Sequence, residues 1–328
     1  MGDSRGYVPV IHAATQDRPD EIDTILAADA VAAALAARGY GTEIISLGAD
    51  LTTLDALTAQ RPLVTFNLVD AVGGDGRLAP MVPARLDLLG LAYTGAGTNA
   101  WIDTLSKIGT KLRLADAGLP TPDWSADGMY LDPTAKVIVK PVWEHGSLGM
   151  DDTCVVRGPT AAQAIRERNA CWLTEHFAEA FVDGREFNVS LLETEDGVQV
   201  LPIAEILFES FDAGAARIVG YDAKWVPEST AFNSTPRRFG IEQTEPRLAA
   251  TLANLSRASW VLFGVRGYAR VDFRVTPEGQ PFILEINMNP CLTPHAGFAA
   301  AAEEAGLAYD DLIERIATAP QARLRASA

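Results

Sequence analysis

Apolar positions along the first hundred residues follow two alternating rhythms. YVPVIHA, TEIISL and PLVTFNLV are short apolar runs, LAYTG is a shorter one, and each reads as a strand. Between them, EIDTILAADAVAAALAARGY, LTTLDALTAQ and MVPARLDLLG carry apolar residues at helical spacing, the first closed by Gly39. Strands separated by helices predict a parallel, doubly wound sheet. We place the end of this unit near Trp101, so the first expected domain is residues 1–100.

The rhythm then changes. TLSKIGTKLRLADAG reads as one helix closed by Gly118 and Pro120. KVIVK and TCVVR follow, then a helix from Thr160 to about Asn169, then ACWLTEHF, which together make a small α+β unit over residues 101–184. Residues 185–328 open with the strands REFNVSLLE and GVQVLPIAEIL. A polar stretch from Asp212 to Arg238, a helix, a hairpin (GYARVDFRV and PFILEINM) and one helix after Gly297 complete a second α+β unit. The long polar stretch reads as a lid over a site.

Composition narrows the function. The chain has 328 residues, of which 48% are hydrophobic, enough for a large core and against global disorder. Its 27 Lys+Arg against 43 Asp+Glu give a net charge of −16, which argues against a nucleic-acid partner. A small anion needs only a local cluster of donors. Three cysteines, with no CxxC and no metal-ligand spacing, suit a reducing cytosol. The N-terminus is a poor signal peptide and no apolar run approaches the roughly 18–20 residues of a membrane span. The expectation is a soluble, cytoplasmic protein with no membrane partner. Only five of the 27 basic residues are lysines (107, 111, 136, 140 and 224), so each lysine is a little more apt than usual to serve as a compact point charge.

Candidate chemistry concentrates in the C-terminal hairpin. Strand periodicity puts Arg270 and Asp272 on one face, and Glu285 and Asn287 likewise. A turn centred on Glu278 and Gly279 sets Asp272 opposite Glu285 and Arg270 opposite Asn287. Opposed side chains have Cβ atoms about 4.5–5.5 Å apart, so two carboxylates there call for a cation between them. Oxygen donors of this kind suit Mg²⁺; the alternative is a solvated face on which Arg270 neutralises Asp272. In KVIVKPVWEHGSLGM a strand ends at Lys140, and a turn with Gly146, Ser147 and Gly149 follows. Small residues let backbone N–H groups approach a phosphate, although an ordinary glycine hairpin looks the same and the GK[ST] of a P-loop is lacking. Glu179 and Glu186 in EAFVDGREFNV flank a domain junction and by themselves indicate nothing beyond solubility. YTGAGTNAW has GxGxxA spacing at Gly95, Gly97 and Ala100 but no acid at the end of a following strand, so it reads as a tight turn.

In their order along the chain, several segments resemble the ATP-grasp superfamily, and within it the D-alanine–D-alanine ligase branch. They are TFNLVDAVGGDGRLAP, LDLLGLAYTGAGTNA, LSKIGTKLRLADAGLPTP, VIVKPVWEHGSLGM, EAFVDGREF, YDAKW and RVDF…LEINMNPCLTPH, and the likeness runs from about Pro62 to Ile316. The resemblance implies an ATP-grasp fold, with the N-terminal sheet domain preceding two ATP-grasp subdomains. It implies that Lys107 and Lys140 hold the ATP phosphates and that the loop around Ser147 closes over them. The backbone of Glu179, Ala180, Phe181 and Val182 would read the adenine edge and Glu186 the ribose. Lys224 in the lid would reach the γ-phosphate. Asp272, Glu285 and Asn287 would hold two Mg²⁺ ions, with Mn²⁺ possible, and Arg270 would stabilise the tetrahedral intermediate. A homodimer is the family expectation.

The departures lie in the substrate-facing segments. HAATQDRPDEID stands where the family has GGxSxERE, with Asp20 or Glu21 as the replacement acid. LVDAVGGDGR stands for HGxxGEDG and lacks its histidine, and Asp70 is taken as a substrate residue there. Gly146 replaces a family serine, Trp225 stands for the lid tyrosine, and NPCLTPHA replaces SPGMTSHS. Cys291, His295 and Ala296 thus join Trp225 and Arg270 among the substrate residues, with Ala296 in place of the serine that holds the second substrate's carboxylate. The reading is an ATP-dependent carboxylate–amine ligase with altered specificity. The alternatives are a genuine D-alanine–D-alanine ligase of wall synthesis and a nucleotide-binding protein without turnover; a nicotinamide dehydrogenase on the GxGxxA turn is a remote third.

Overall fold

In β1 (Tyr7–Ala13) Val8 and Val10 face one side and Ile11 the other, and all three are fully buried. Such a strand needs cover on both faces, which parallel sheets with flanking helices provide. A computed structural model of the protein describes residues 5–14, 18–129, 134, 136–144, 146–211 and 216–326, with side chains as far as Pro320. β2 (Gly41–Leu47) and β3 (Phe66–Asn67) flank β1 in parallel, in the order β2-β1-β3. α1 (Pro19–Ala37) covers the Val8 face, and α2 (Thr53–Gln60) and α3 (Met81–Leu88) cover the Ile11 face. Pro19 starts α1 with a preset φ, and Asp20 and Glu21 put negative charge at its positive end.

The expected strands PLVTFNLV and LAYTG are much shorter than their apolar runs. The Asn67 N–H donates to Thr94 Oγ1, and Asn67 Oδ1 accepts from the Val69 N–H, so a local side-chain turn ends β3. LAYTG contributes only a bridge between Tyr93 and Thr65. The expected helix Thr104–Gly118 is also two helices. Ser106 is extended (φ −85°, ψ 116°) and its hydroxyl accepts from the Gly109 N–H, so α4 (Thr98–Leu105) stops and α5 (Lys107–Asp116) starts anew. Lys107 therefore opens a helix instead of lying inside one.

A four-stranded antiparallel sheet follows, β4 (Trp124–Ser125), β5 (Lys136–Pro141), β6 (Val155–Arg157) and β7 (His176–Ala180), in the order β4-β7-β5-β6. α6 (Ala161–Trp172) packs on Val137, Val139 and Ala178. It passes the expected end at Asn169 and stops where Leu173 turns left-handed (φ 53°), so ACWLTEHF divides between helix and strand. The start of TCVVR is a 3-10 turn capped by Asp151, which leaves only Val155–Arg157 in β6.

The larger sheet comprises β8 (Arg185–Thr194), β9 (Gly197–Val200), β10 (Ala204–Ile206), β11 (Arg237–Arg238), β12 (Tyr268–Val275) and β13 (Pro281–Asn287). Its order is β11-β10-β8-β12-β13, with β9 paired to the end of β8. GVQVLPIAEIL is two strands because Pro202, which has no N–H, interrupts it. Phe187, Val189, Val271 and Phe273 form the apolar face under α10 (Pro246–Leu262), which follows the short α9 (Ile241–Thr244). The polar stretch contains α7 (Tyr221–Trp225), α8 (Thr230–Asn233) and β11; its residues 212–215 lie outside the described residues. The single expected C-terminal helix is split into α11 (Gly297–Glu304) and α12 (Tyr309–Ala326) at Gly306 (φ 79°). Leu312, Ile313 and Ile316 of α12 pack into the core beneath α1.

The hairpin pairs Asp272 with Glu285 and Arg270 with Asn287, as expected, but not by the expected turn. Beyond Asp272 the register shifts, so Phe273 faces Ile283 and Val275 faces Pro281. The turn is centred on Glu278 alone, with Gly279 left-handed (φ 85°), and Leu284 is an extra residue in β13. The bulge offsets the odd turn and restores the pairing above it. Among the described residues no helix is long and apolar enough to cross a membrane, and the three cysteines are unpaired.

Gly184, between β7 and β8, is pressed against the hairpin: a Cβ there would lie 2.0 Å from the Val275 carbonyl oxygen. Gly184→Ala is expected to destabilise the fold by about 2 kcal/mol or more, measured as a lower urea midpoint with unchanged slope.

Candidate functional site

Alternation in the two antiparallel sheets sends apolar side chains to the helices and the others into a shared cavity of about 890 Å³. The smaller sheet contributes Ile138 and Lys140 from β5 and Glu179 from β7. From the larger come Glu186 and Asn188 of β8, Arg270, Asp272 and Arg274 of β12, and Glu285 and Asn287 of β13. The N-terminal unit adds Glu21 and Asp70. Every residue singled out from the sequence as a site residue lines this one cavity.

At one end three lysines converge. Lys107 donates to the Glu144 carbonyl and lies 3.4 Å from the Glu285 carboxylate. Burial, and then the like charges of Lys140 and Lys224, pull its ammonium below the ordinary lysine range against the attraction of Glu285 and Glu144. Lys140 is paired with Glu179, which is also held by Lys111 at 2.6 Å. Burial works to raise the Glu179 carboxyl, but the two ammonium groups hold it below its usual range. Lys111 further donates to Thr121 Oγ1 (2.8 Å), which donates to the Ile283 carbonyl (2.9 Å). Lys111 carried no assignment from sequence; its signal was the four-residue spacing from Lys107, which puts both on one helix face.

The loop after β5 approaches α7. Ser147 is left-handed (φ 63°) and its hydroxyl is 3.4 Å from the Val219 carbonyl. Trp225 Nε1 donates to the Gly146 carbonyl (2.7 Å), and the Gly146 N–H donates to Glu144 Oε1. Lys224, also on α7, lines the cavity, without an ion pair among the described residues. His145 is outside the described residues. Where the chain passes between the sheets, the N–H groups of Ala180 and Phe181 are taken by the Asp123 and Lys136 carbonyls. Phe181 and Val182 border the cavity beside them.

On the hairpin, Arg270 grips Asp272 with Nε (2.7 Å) and Nη2 (2.8 Å), and Asn188 Nδ2 donates to the same carboxylate (2.8 Å). Glu186, kept above its usual range by burial despite the Arg274 guanidinium 3.1 Å away, lies on the same face. Asn188 and Arg274 went unassigned, although each is two residues from one that was assigned, which is the strand period. Asp272 and Glu285 are directly opposed and Asn287 follows on the same side. Two carboxylates and an amide oxygen are hard donors that fit Mg²⁺, and both carboxylates already need positive charge, here from Arg270 and Lys107. Among the described residues no three His, Cys, Asp or Glu side chains converge as a metal set, so the donors here are two carboxylates and an amide.

The other end of the cavity is acidic and irregular. Asp20 accepts from the Tyr221 hydroxyl (2.8 Å), and Arg18 pairs with Asp20 and Glu21. The Cys291 thiol donates to Asp23 Oδ2 (2.7 Å); burial and Asp23 push it up to about 12. His295 and Ala296 border α11, and the His295 carbonyl accepts from Arg237.

The family model for the D-Ala D-Ala ligase C-terminus matches residues 133–318. An uncharacterized protein of Sinorhizobium fredii is 33% identical over 302 residues, covering 88% of this chain and 85% of that protein. A D-alanine–D-alanine ligase of Chromohalobacter salexigens is 32% identical over 303 residues, covering 89% and 88%. In architecture the chain is similar to the D-alanine–D-alanine ligase from Bacillus anthracis complexed with ATP (TM-score 0.76, 21% identity, 98% of this chain and 99% of that one).

Asp70 reaches water inside the cavity yet is enclosed by protein. That burial, with Glu144 and then Asp20 nearby, pushes its carboxyl up to about 6. The folded state therefore holds this proton more tightly than the unfolded chain, so Asp70 costs stability once it ionises. Asp70→Asn is expected to raise the melting temperature at pH 8, with the gain fading as pH falls from about 6 to about 4. A gain that is equal at pH 4 and pH 8 would contradict this.

Proposed function

The chain belongs to the D-alanine–D-alanine ligase family, and from that premise we propose that it is an ATP-dependent ligase that joins a carboxylate to an amine. The observation that carries the reading is the single cavity in which Lys107, Lys140 and Lys224 face the carboxylates of Asp272 and Glu285. Clustered ammonium groups suit a triphosphate, and the Glu179–Val182 segment with Glu186 suits the nucleoside. In the first step a donor carboxylate oxygen takes the γ-phosphoryl group, leaving ADP and an acylphosphate. In the second the acceptor nitrogen bonds to the acyl carbon and loses a proton, and the C–O bond to phosphate breaks.

The lysines and the Ser147 loop position and neutralise the phosphoryl group, which is most of what such a transfer needs. Asp272, Glu285 and Asn287 would hold Mg²⁺, which supplies further charge neutralisation when bound. Arg270 uses Nε and Nη2 on Asp272, so its Nη1 N–H groups are available for the oxyanion of the second step. The α7 region, joined through Tyr221 to Asp20 and through Trp225 to Gly146, screens the acylphosphate from water. Because Asp70, Cys291 and Ala296 all depart from the family pattern at one end of the cavity, we propose that the substrate pair is not two D-alanines.

A panel of amino acids, hydroxy acids and other carboxylates with coupled ADP detection tests the reading. ADP release should require both a donor and an acceptor, and D-alanine alone should be a poor pair. ATP binding without acceptor-dependent ADP release would instead make this a nucleotide-binding protein without turnover, and efficient D-alanyl-D-alanine formation would return the family substrate. Glu285→Gln should lower turnover at least about a hundredfold while the protein stays folded, checked by kinetics alongside circular dichroism.

A further inference from the structure

Lys111 is the most deeply buried lysine of the chain, yet it takes no part in the reaction proposed above. Lys107 and Lys140 line the cavity, whereas Lys111 lies behind it. On α5 it is one turn from Lys107. Its ammonium sits between Glu179 Oε2 (2.6 Å) and Thr121 Oγ1 (2.8 Å). Thr121 gives its own proton to the Ile283 carbonyl (2.9 Å), which leaves an oxygen lone pair for Lys111. The ammonium is therefore fixed from both sides, and it cannot swing into the cavity without leaving both partners.

Glu179 is shared. It lies across from Ile138 on β5, so strand alternation puts Lys140, two residues on, on its side of the sheet. One carboxylate oxygen faces Lys111 and the other faces Lys140. Burial pulls the Lys111 ammonium below the ordinary lysine range, and Glu179 is the main charge that opposes this. A tie that served the fold alone would need one ammonium for one carboxylate. Here a second is present, and it is the one that lines the cavity.

Two ammonium groups and one carboxylate leave one positive charge, and Lys140 carries it to the cavity wall. With a neutral residue in place of Lys111, Glu179 and Lys140 would form a closed pair. An arriving phosphate would then compete with a buried carboxylate, in surroundings where low dielectric makes that pair hard to open. With Lys111 charged, Glu179 keeps a partner while Lys140, which has three N–H donors, turns to a phosphate. We infer that Lys111 is a positioning residue for the nucleotide, acting through Glu179: by holding that carboxylate it leaves the charge of Lys140 to the phosphates. The inference rests on the nucleotide part of the reading given above and not on its ligase part.

The test compares binding of a non-hydrolysable ATP analogue and of adenosine, both with Mg²⁺, to wild type, Lys111→Gln, Glu179→Gln and the double variant Lys111→Gln/Glu179→Gln. Glutamine keeps a hydrogen-bonding group at position 111 and removes only the charge. Lys111→Gln should weaken the ATP analogue by at least about tenfold. Adenosine, which has no phosphate, should change by less than about twofold. The double variant, in which no carboxylate claims Lys140, should recover most of the lost affinity for the analogue. Circular dichroism and melting curves check folding. A Lys111 that served only the fold would weaken both probes alike, and that outcome overturns the inference, as does a double variant that binds the analogue no better than Lys111→Gln. Should Lys111→Gln not fold, Glu179→Gln decides: it frees Lys140 by the other route and should bind the analogue at least as tightly as wild type, and weaker binding overturns the inference. A wild type that binds no analogue overturns it together with the nucleotide reading. Acceptor-dependent ADP release by the wild type separates the two claims. A loss confined to the analogue without turnover upholds this role and rejects the ligase reading, and turnover with equal losses for both probes does the reverse.

Discussion

A carboxylate buried between two ammonium groups determines where this cavity can be. Glu179 on β7 is held by Lys140 of the neighbouring β5 and by Lys111 of α5, and Lys111 reaches through Thr121 to the backbone of β13. Helix, small sheet and large sheet are thereby joined at one point. None of the three charges can be lost cheaply, because removing one partner of a buried pair leaves the other uncompensated, typically at about 3–5 kcal/mol. Two ammonium groups against one carboxylate leave a net positive charge beside the cavity. A protein of net charge −16 can therefore still present a local field that attracts a polyanion.

From that junction the geometry follows. The chain leaves β7, passes Phe181 and Val182, and reaches Gly184, where only a missing side chain lets it lie on Val275 of β12. Arg274 secures the crossing by donating to the Gly184 carbonyl (2.9 Å). Close contact here aligns the polar face of β8 and β12 with that of β5 and β7. Strand alternation, with the Leu284 bulge that keeps Asp272 opposite Glu285, then sets the row Glu186, Asn188, Asp272, Glu285 toward Lys140 and toward Lys107 at the start of α5.

The parts legible in the sequence are those that a short period encodes. Arg270 with Asp272 and Glu285 with Asn287 could be placed on one face because a strand repeats every two residues, and their pairing survived a wrong turn because the extra residue Leu284 offsets a turn centred on Glu278 alone. Asn188 and Arg274 obey the same period but were passed over, since nothing in the type of either residue marks it as functional. Where side chains compete with the backbone the pattern misled. Ser106 cuts one helix in two and Asn67 ends a strand inside an apolar run, and each does so through a single hydrogen bond that hydrophobic periodicity does not register. Lys111 illustrates a third kind of loss. Its partner Glu179 is distant in sequence and on another element, so only the fold reveals that this lysine supports the site from behind.

Why the two ends of the cavity should differ in this way is a matter of how each is built. At one end, Lys140, Glu179 and the hairpin carboxylates are carried on paired strands, where a change of register would turn every side chain to the other face and destroy the apolar core beneath Phe187 and Val271 at the same time. Substitution there is constrained by the fold itself. The acidic end is carried on the first turn of α1, the segment around Asp70 and the residues from Asn289 to Gly297, none of which belongs to a sheet. Exchanging a side chain at Asp70, Cys291 or Ala296 leaves the ladders untouched and alters only what the cavity will accept. A scaffold divided this way can hold the lysine and carboxylate end of the cavity fixed while the other end varies.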